Sequence, residues 1–220
     1  MAIYRKYGTL QEAQNLECVQ DKVSCPRLIN YYPELEGGDC RYCIEMEHIQ
    51  GKKLTEIWPE LNEQQQQIVA ENIKAELKKL HSIPVDKSWI GNNIGQKRTA
   101  ISDLVFGTIR FTNIEDFNNH IINIMPERSH KLEFLFRSTL PNDFDLCLCH
   151  GDLYSENIMV RSDLGIVFTD WGCLGCLPCF WDEMKLFASC PLKQTFPIHV
   201  ISEEHFEYIS IYSLIIMTIF

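Results

Sequence analysis

No stretch of this sequence is long and apolar enough to cross a bilayer. The longest apolar run, Ile209 to Phe220, is broken by Ser210, Ser213 and Thr218, whereas a spanning helix needs about 20 apolar residues; a buried helix or strand is the expected reading. The first residues, Met1-Ala2-Ile3-Tyr4-Arg5-Lys6, carry charge where a secretion signal needs its apolar stretch, so no leader is read there. The ten cysteines are then expected to be reduced, in a soluble cytoplasmic protein. Positive charge is scarce: 20 Lys and Arg against 30 Asp and Glu give −10, which argues against nucleic acid or an anionic membrane as the main partner. No internal repeat is found. What is present is a chain of 220 residues with 45% hydrophobic content, enough for one large domain or two small lobes around a buried core.

Residues 2–7 read as a strand, and Thr9-Leu10-Gln11-Glu12 as a capping box opening a helix to about Lys22. Two strand-like runs follow, Arg27 to Tyr32 and Arg41 to Glu47, joined across Gly37-Gly38-Asp39 as a hairpin. From Asn62 the pattern changes. Val69, Ile73, Leu77 and Leu80 recur at helical spacing, with Glu71, Lys74 and Lys78 off the stripe, which predicts an amphipathic helix ending near His81. Its Gln64 to Gln67 tract is ordinary helix former. Residues 82–114, with Pro84, Gly91, Gly95 and Gly107, read as loop. Helices are expected over 115–125 and 128–139, and through most of the last forty residues. Short buried strands are expected at Asp145 to Cys149, Ile158 to Val160 and Gly165 to Thr169, the last two paired.

Between those strands lies the segment that carries chemistry: Cys149-His150-Gly151-Asp152-Leu153-Tyr154-Ser155-Glu156-Asn157, then after a turn Ile166-Val167-Phe168-Thr169-Asp170-Trp171. An Asp, an Asn five positions on, and a second Asp closing an apolar strand make the arrangement that phosphoryl transfer uses. Mg²⁺ takes hard oxygen ligands from one or two carboxylates plus nucleotide phosphates, and Asp170 with Asn157 can supply them. Asp152 can accept the proton of an attacking hydroxyl. Turn and capping bonds would explain Asp152 or Asn157 singly; they do not explain the set.

These residues, with the later Gly175-Cys176-Leu177-Pro178-Cys179-Phe180-Trp181-Asp182-Glu183 and the upstream Ile44-Glu45-Met46-Glu47-His48-Ile49-Gln50-Gly51 and Ile57-Trp58-Pro59, resemble the aminoglycoside phosphotransferase family, particularly its branch in filamentous fungi. The resemblance spans about residues 1 to 190. It implies an α+β, protein-kinase-like two-lobe fold, with a reduced sheet lobe and hinge over 1–50 and a mainly helical lobe over 51–220. It also implies ATP and Mg²⁺ as cofactors and transfer of the γ-phosphoryl group to a hydroxyl of a small molecule. Adenine would lie against the hinge and bond backbone near Glu47 and Ile49, with Met46 beside it or packed in the core. Lys6 would hold the nucleotide phosphates and pair with Glu12; otherwise Lys6 is a solvated edge charge and Glu12 only the third residue of the Thr9 capping box. His150 is implied as a support of the loop, neither acid nor base, and Trp181 and Asp182 as structural.

Members of that family carry two further strands and a phosphate-covering loop before the lysine strand, for which this sequence has no room. A shortened form is therefore expected, and a non-catalytic binding or regulatory module is the alternative to an enzyme. A third class is a zinc site at Cys173-x-x-Cys176-x-x-Cys179 or Cys40-x-x-Cys43, whose spacing is zinc-like. Reduced cysteines packing as small hydrophobes are the expected reading instead. The acceptor is not legible, although Glu115, Asp116, Glu127, Asp143 and Asp145 give the helical part acidity.

Overall fold

The computed structural model describes residues 2–36, 39–92, 110–124, 130–189 and 200–217. The first strand, β1 (Ile3–Gly8), leads into α1 (Leu10–Val19). Thr9 caps the helix as expected, its hydroxyl accepting from the Glu12 amide at 3.1 Å. The reciprocal half of the capping box is not made, because the Glu12 carboxylate is paired with Lys6. The helix ends at Val19 rather than Lys22: the amides of Lys22 and Val23 both bond the Val19 carbonyl, at 2.9 and 3.1 Å, which tightens the last turn.

β2 (Leu28–Glu36) and β3 (Asp39–Glu47) form the expected antiparallel pair; the Gly37-Gly38 turn lies outside the described residues. The sheet order is β1-β3-β2, and the register sets Lys6 opposite Ile44 and Tyr4 opposite Met46. After β4 (Lys52–Lys53) and the single-turn α2 (Leu54–Ile57), the long helix α3 (Glu63–His81) takes the course its periodicity predicts. Asn62 and Gln65 cap it reciprocally at 2.9 and 3.0 Å. Its stripe of Val69, Ile73, Leu77 and Leu80 is buried with Ala13 and Leu16 of α1 in one core. Full burial of each such aliphatic side chain contributes about 1.5–3 kcal/mol.

The expected loop 82–114 is not all loop. It contains β5 (Gly91–Asn92) and a bridge between Ile90 and Phe111, with part of it outside the described residues. β5 pairs with β9 (Gly175–Pro178), and β9 pairs on its other edge with β6 (Leu146–Cys149). β9 is illegible by alternation because all four of its residues are buried, so neither face is polar. The third sheet is β4-β7-β8, with β7 (Ile158–Val160) and β8 (Ile166–Phe168) paired as expected.

Among the described residues four further helices follow: α4 (Ile114–Asn123), α5 (His130–Thr139), α6 (Trp181–Ser189) and α7 (Phe206–Met217). Glu127 lies outside the described residues. The described part of the apolar run near the end of the chain is helical, with Ile209, Tyr212 and Ser213 at 1% exposure or less and Leu214 exposed. No helix among the described residues is long and apolar enough to cross a membrane. This second core gathers Phe117, Phe180, Trp181 and Tyr212 in ring contacts of 5.0 to 6.4 Å. β6 divides the two cores: Leu148 faces the first and Cys147 and Cys149 the second, as strand alternation requires. The strand therefore delivers its next residues, His150 to Asp152, from a position anchored on both sides.

Candidate active site

The loop after β6 is fixed before any functional side chain is reached. The buried Asp182 accepts from the amide of His150 with Oδ2 and from the amide of Gly151 with Oδ1, both at 2.9 Å. Trp181 Nε1 donates to the Gly151 carbonyl at 3.3 Å. His150, fully buried, donates from Nε2 to the Thr169 carbonyl at 2.9 Å and accepts from the Asp152 amide at Nδ1 at 3.3 Å; a carbonyl can only accept, and that assigns the tautomer. His150 thus has both ring nitrogens committed to backbone and supports the loop, as the resemblance implied. Gly151 holds φ +84°, and a Cβ there would lie 2.1 Å from the Cys173 carbonyl oxygen. Gly151→Ala is expected to destabilise the fold by at least about 2 kcal/mol, since backbone strain and a backbone clash coincide; urea denaturation measures it.

Asp152 then projects a carboxylate whose side chain is 24% exposed, with Lys185 Nζ 3.2 Å away. Lys185 is almost wholly buried, hydrogen-bonded to the Tyr154 hydroxyl and 4.2 Å from the Tyr154 ring centroid. Burial opposes its charge, but Tyr154 and Asp152 outweigh burial and hold the ammonium group above its ordinary range. Asn157 donates from Nδ2 to the Asp152 carbonyl at 2.9 Å. That bond engages the amide nitrogen, so the amide oxygen is the atom able to serve as a ligand.

The second carboxylate is brought up by β8. The Thr169 amide and hydroxyl both donate to the Asn157 carbonyl, at 2.9 and 3.2 Å, so the two acidic segments are laced together by their backbones. Asp170 follows in the left-handed region, φ 66° and ψ 67°, which a non-glycine residue occupies at functional turns more often than elsewhere. Its carboxylate meets Lys6 Nζ at 2.9 Å, and Lys6 also meets Glu12 at 2.7 Å. Burial works against the Lys6 charge, and Glu12 and then Asp170 more than compensate, raising its pKa. Asn15 in α1 donates to the Trp171 carbonyl at 2.8 Å and so fixes α1, with Glu12, against the Asp170 turn.

Lys6, Glu12, Met46, Glu47, Ile49, Asn157 and Asp170 all line one cleft of about 370 Å³ between the first sheet and the β7-β8 hairpin. Met46 lines the cleft and is also packed in the first core at 8% exposure. Lys6 is no solvated edge charge, and Glu12 serves as its partner. Asp152 is not among the residues lining the cleft; it is joined to that wall through Asn157. The Glu47 amide is committed to the Arg27 carbonyl at 2.8 Å.

Sequence reasoning missed Lys185, Tyr154 and Asn15. The one signal for Lys185 was its position four residues after Trp181, on the buried stripe of α6, where a lysine needs a carboxylate. Cys173 and Cys176 are buried, in keeping with the expected packing of reduced cysteines. Among the described residues the metal-compatible group is His81, Cys147 and Cys149, not Cys173, Cys176 and Cys179; the Cys40 side chain lies outside the described residues.

With this geometry in place, comparison with known proteins is informative. The sequence profile described as "Phosphotransferase enzyme family" matches residues 8–197. No protein of curated function matches the sequence. Among solved structures, the GDP complex of an aminoglycoside 2'-phosphotransferase-IIIa shares 16% identity at a TM-score of 0.66, covering 94% of this chain and 72% of that one. An aminoglycoside-3'-phosphotransferase of type VIII shares 15% at 0.60, covering 98% and 84%, and a choline kinase from Streptococcus pneumoniae 18% at 0.54, covering 99% and 75%. Identities this low speak for the fold alone, which is the kinase-like one expected. The extent of the profile match, over a chain that holds the Asp-Asn-Asp loop and the lysine-glutamate pair, shows that this protein belongs to the phosphotransferase enzyme family.

Proposed function

We propose that the chain transfers the γ-phosphoryl group of ATP to a hydroxyl of a small molecule. The observation that carries this reading is the convergence on one cleft of Lys6, Glu12, Asn157 and Asp170, from the first sheet, α1, the loop after β6 and the turn after β8. The donor set suits Mg²⁺: Asp170 offers a half-exposed carboxylate and Asn157 an amide oxygen, both hard ligands. When bound, the ion neutralises charge on the nucleotide phosphates. Lys6, oriented by Glu12, would release Asp170 and take a phosphate oxygen in its place. The Glu47 carbonyl and the Ile49 amide would bond the base edge, with Met46 against its face. Asp152 would accept the proton of the acceptor hydroxyl, its carboxylate steadied by Lys185, and nothing else in that role is needed. The residues over 1–50 would then act as the nucleotide-holding lobe and 51–220 as the catalytic and acceptor lobe.

Binding is testable before any acceptor is known. A ligand that binds only the folded chain stabilises it by about 2.7 kcal/mol at a hundredfold excess over Kd. Millimolar Mg-ATP is therefore expected to raise the melting temperature, and chelating the Mg²⁺ to abolish most of the rise. No shift with Mg-ATP would leave a kinase-like module that does not take nucleotide.

A further inference from the structure

The structure holds a second chemically distinctive group, on the opposite side of β6 from the first core. A ring nitrogen of His81, Cys147 Sγ and Cys149 Sγ lie within 4.8 Å of one another. Alternation along β6 places both thiols on one face, and their sulfurs are 3.5 Å apart, close to the separation of two thiolates sharing one tetrahedral ion at about 2.3 Å each. His81 ends α3, whose last turn abuts β6. Its Nε2 is a buried nitrogen without a hydrogen-bond partner, the nearest charged oxygen being Asp182 Oδ2 at 3.6 Å. Protonated, the imidazole pairs with Asp182; neutral, its ring nitrogen can serve as a ligand beside the two thiols.

We propose that His81, Cys147 and Cys149 form a binding site for a soft divalent ion, zinc by preference, separate from the Asn157–Asp170 cleft. Two thiolates and an imidazole are a zinc donor set, and the fourth position falls to Cys179, which interacts with Cys147, or to Asp182 beside His81. In the metal-free chain burial pushes Cys149 up to about 12, and Cys147, held chiefly by its bond with Cys149, likewise. Loading therefore releases the two thiol protons and the His81 imidazolium proton to solvent. The site lies one residue before His150, so an ion there would brace the strand end that carries the loop. This assignment does not depend on the proposed phosphoryl transfer, and its readout is metal content.

The test is to strip the full chain with a chelator, add zinc, desalt, and measure bound zinc by mass spectrometry. Wild type is expected to retain about one zinc per chain, Cys173→Ala/Cys176→Ala the same, and Cys147→Ala/Cys149→Ala no more than roughly a tenth of that. Wild type free of zinc, or loss from the first double variant but not the second, overturns the assignment. Should Cys147→Ala/Cys149→Ala fail to fold by circular dichroism, cobalt-loaded wild type decides. Tetrahedral ligand-field bands with thiolate charge-transfer absorption support the site, at two-thiolate intensity for Asp182 as fourth ligand and three for Cys179. A cobalt spectrum without thiolate bands sinks it.

Discussion

Asp170→Asn is expected to lower phosphoryl transfer about a thousandfold, the scale seen when one group that stabilises developing charge is removed, while barely moving the melting temperature. Asparagine is chosen because Asp170 sits at φ 66°, where asparagine is tolerated and alanine adds strain that would confuse the result. The fold should not suffer, because Lys6 keeps its 2.7 Å pairing with Glu12 after losing the 2.9 Å pairing with Asp170. The Asp170 carboxylate is also 48% exposed, so its ion pair contributes little to stability. What the substitution removes is the negative charge that Asp170 presents to the cleft. ATP consumption against a panel of hydroxylated amines, beside a thermal melt, separates the two effects. A variant that keeps transfer within tenfold of wild type would show that the Asn157–Asp170 wall is not where the phosphates are held.

Asp182→Ala should have the largest effect on stability, about 3–5 kcal/mol. The side chain is fully buried, receives the amides of His150 and Gly151, and faces His81. Its loss strands two buried donors and leaves the His81 cation without its counter-charge. Part of this depends on pH. In the chelated chain burial opposes the His81 charge, but Asp182 and Cys147 outweigh it and raise the imidazole from 6.5 to about 10. A folded pKa above the unfolded one gives stability that is complete below the unfolded value and lost as pH climbs through the folded one. The gap between wild type and Asp182→Ala should therefore be widest just below pH 6.5 and narrow as pH climbs to about 10. Urea denaturation of both proteins across that range measures it, and a gap that stays constant or widens would show that His81 carries no charge beside Asp182.

Much of this was readable along the chain because the signals are local. Helical spacing marked α3, short apolar runs marked β7 and β8, and Asn62 marked where α3 begins. The strand β9 was not readable, since its four residues are buried on both faces and show no period. Glu12 could be read two ways, as capping residue or as partner to Lys6; only the register that sets β1 against β3, beside α1, chose the second. The cysteines show the same division in reverse. Their regular spacing at Cys173, Cys176 and Cys179 suggested a cluster, yet the grouping that formed joins the end of α3 to alternate positions of β6.

The sequence by itself pointed to the family and singled out Asp152, Asn157 and Asp170, because their residue types and spacing lie within one loop and one hairpin. Tertiary structure alone decided what surrounds it: the Lys185 ammonium beside Asp152, the Asp182 carboxylate under the loop, and the imidazole of His81 against two thiols. Those partners lie tens of residues away along the chain, and burial makes each pairing strong only once packing has removed the water between them.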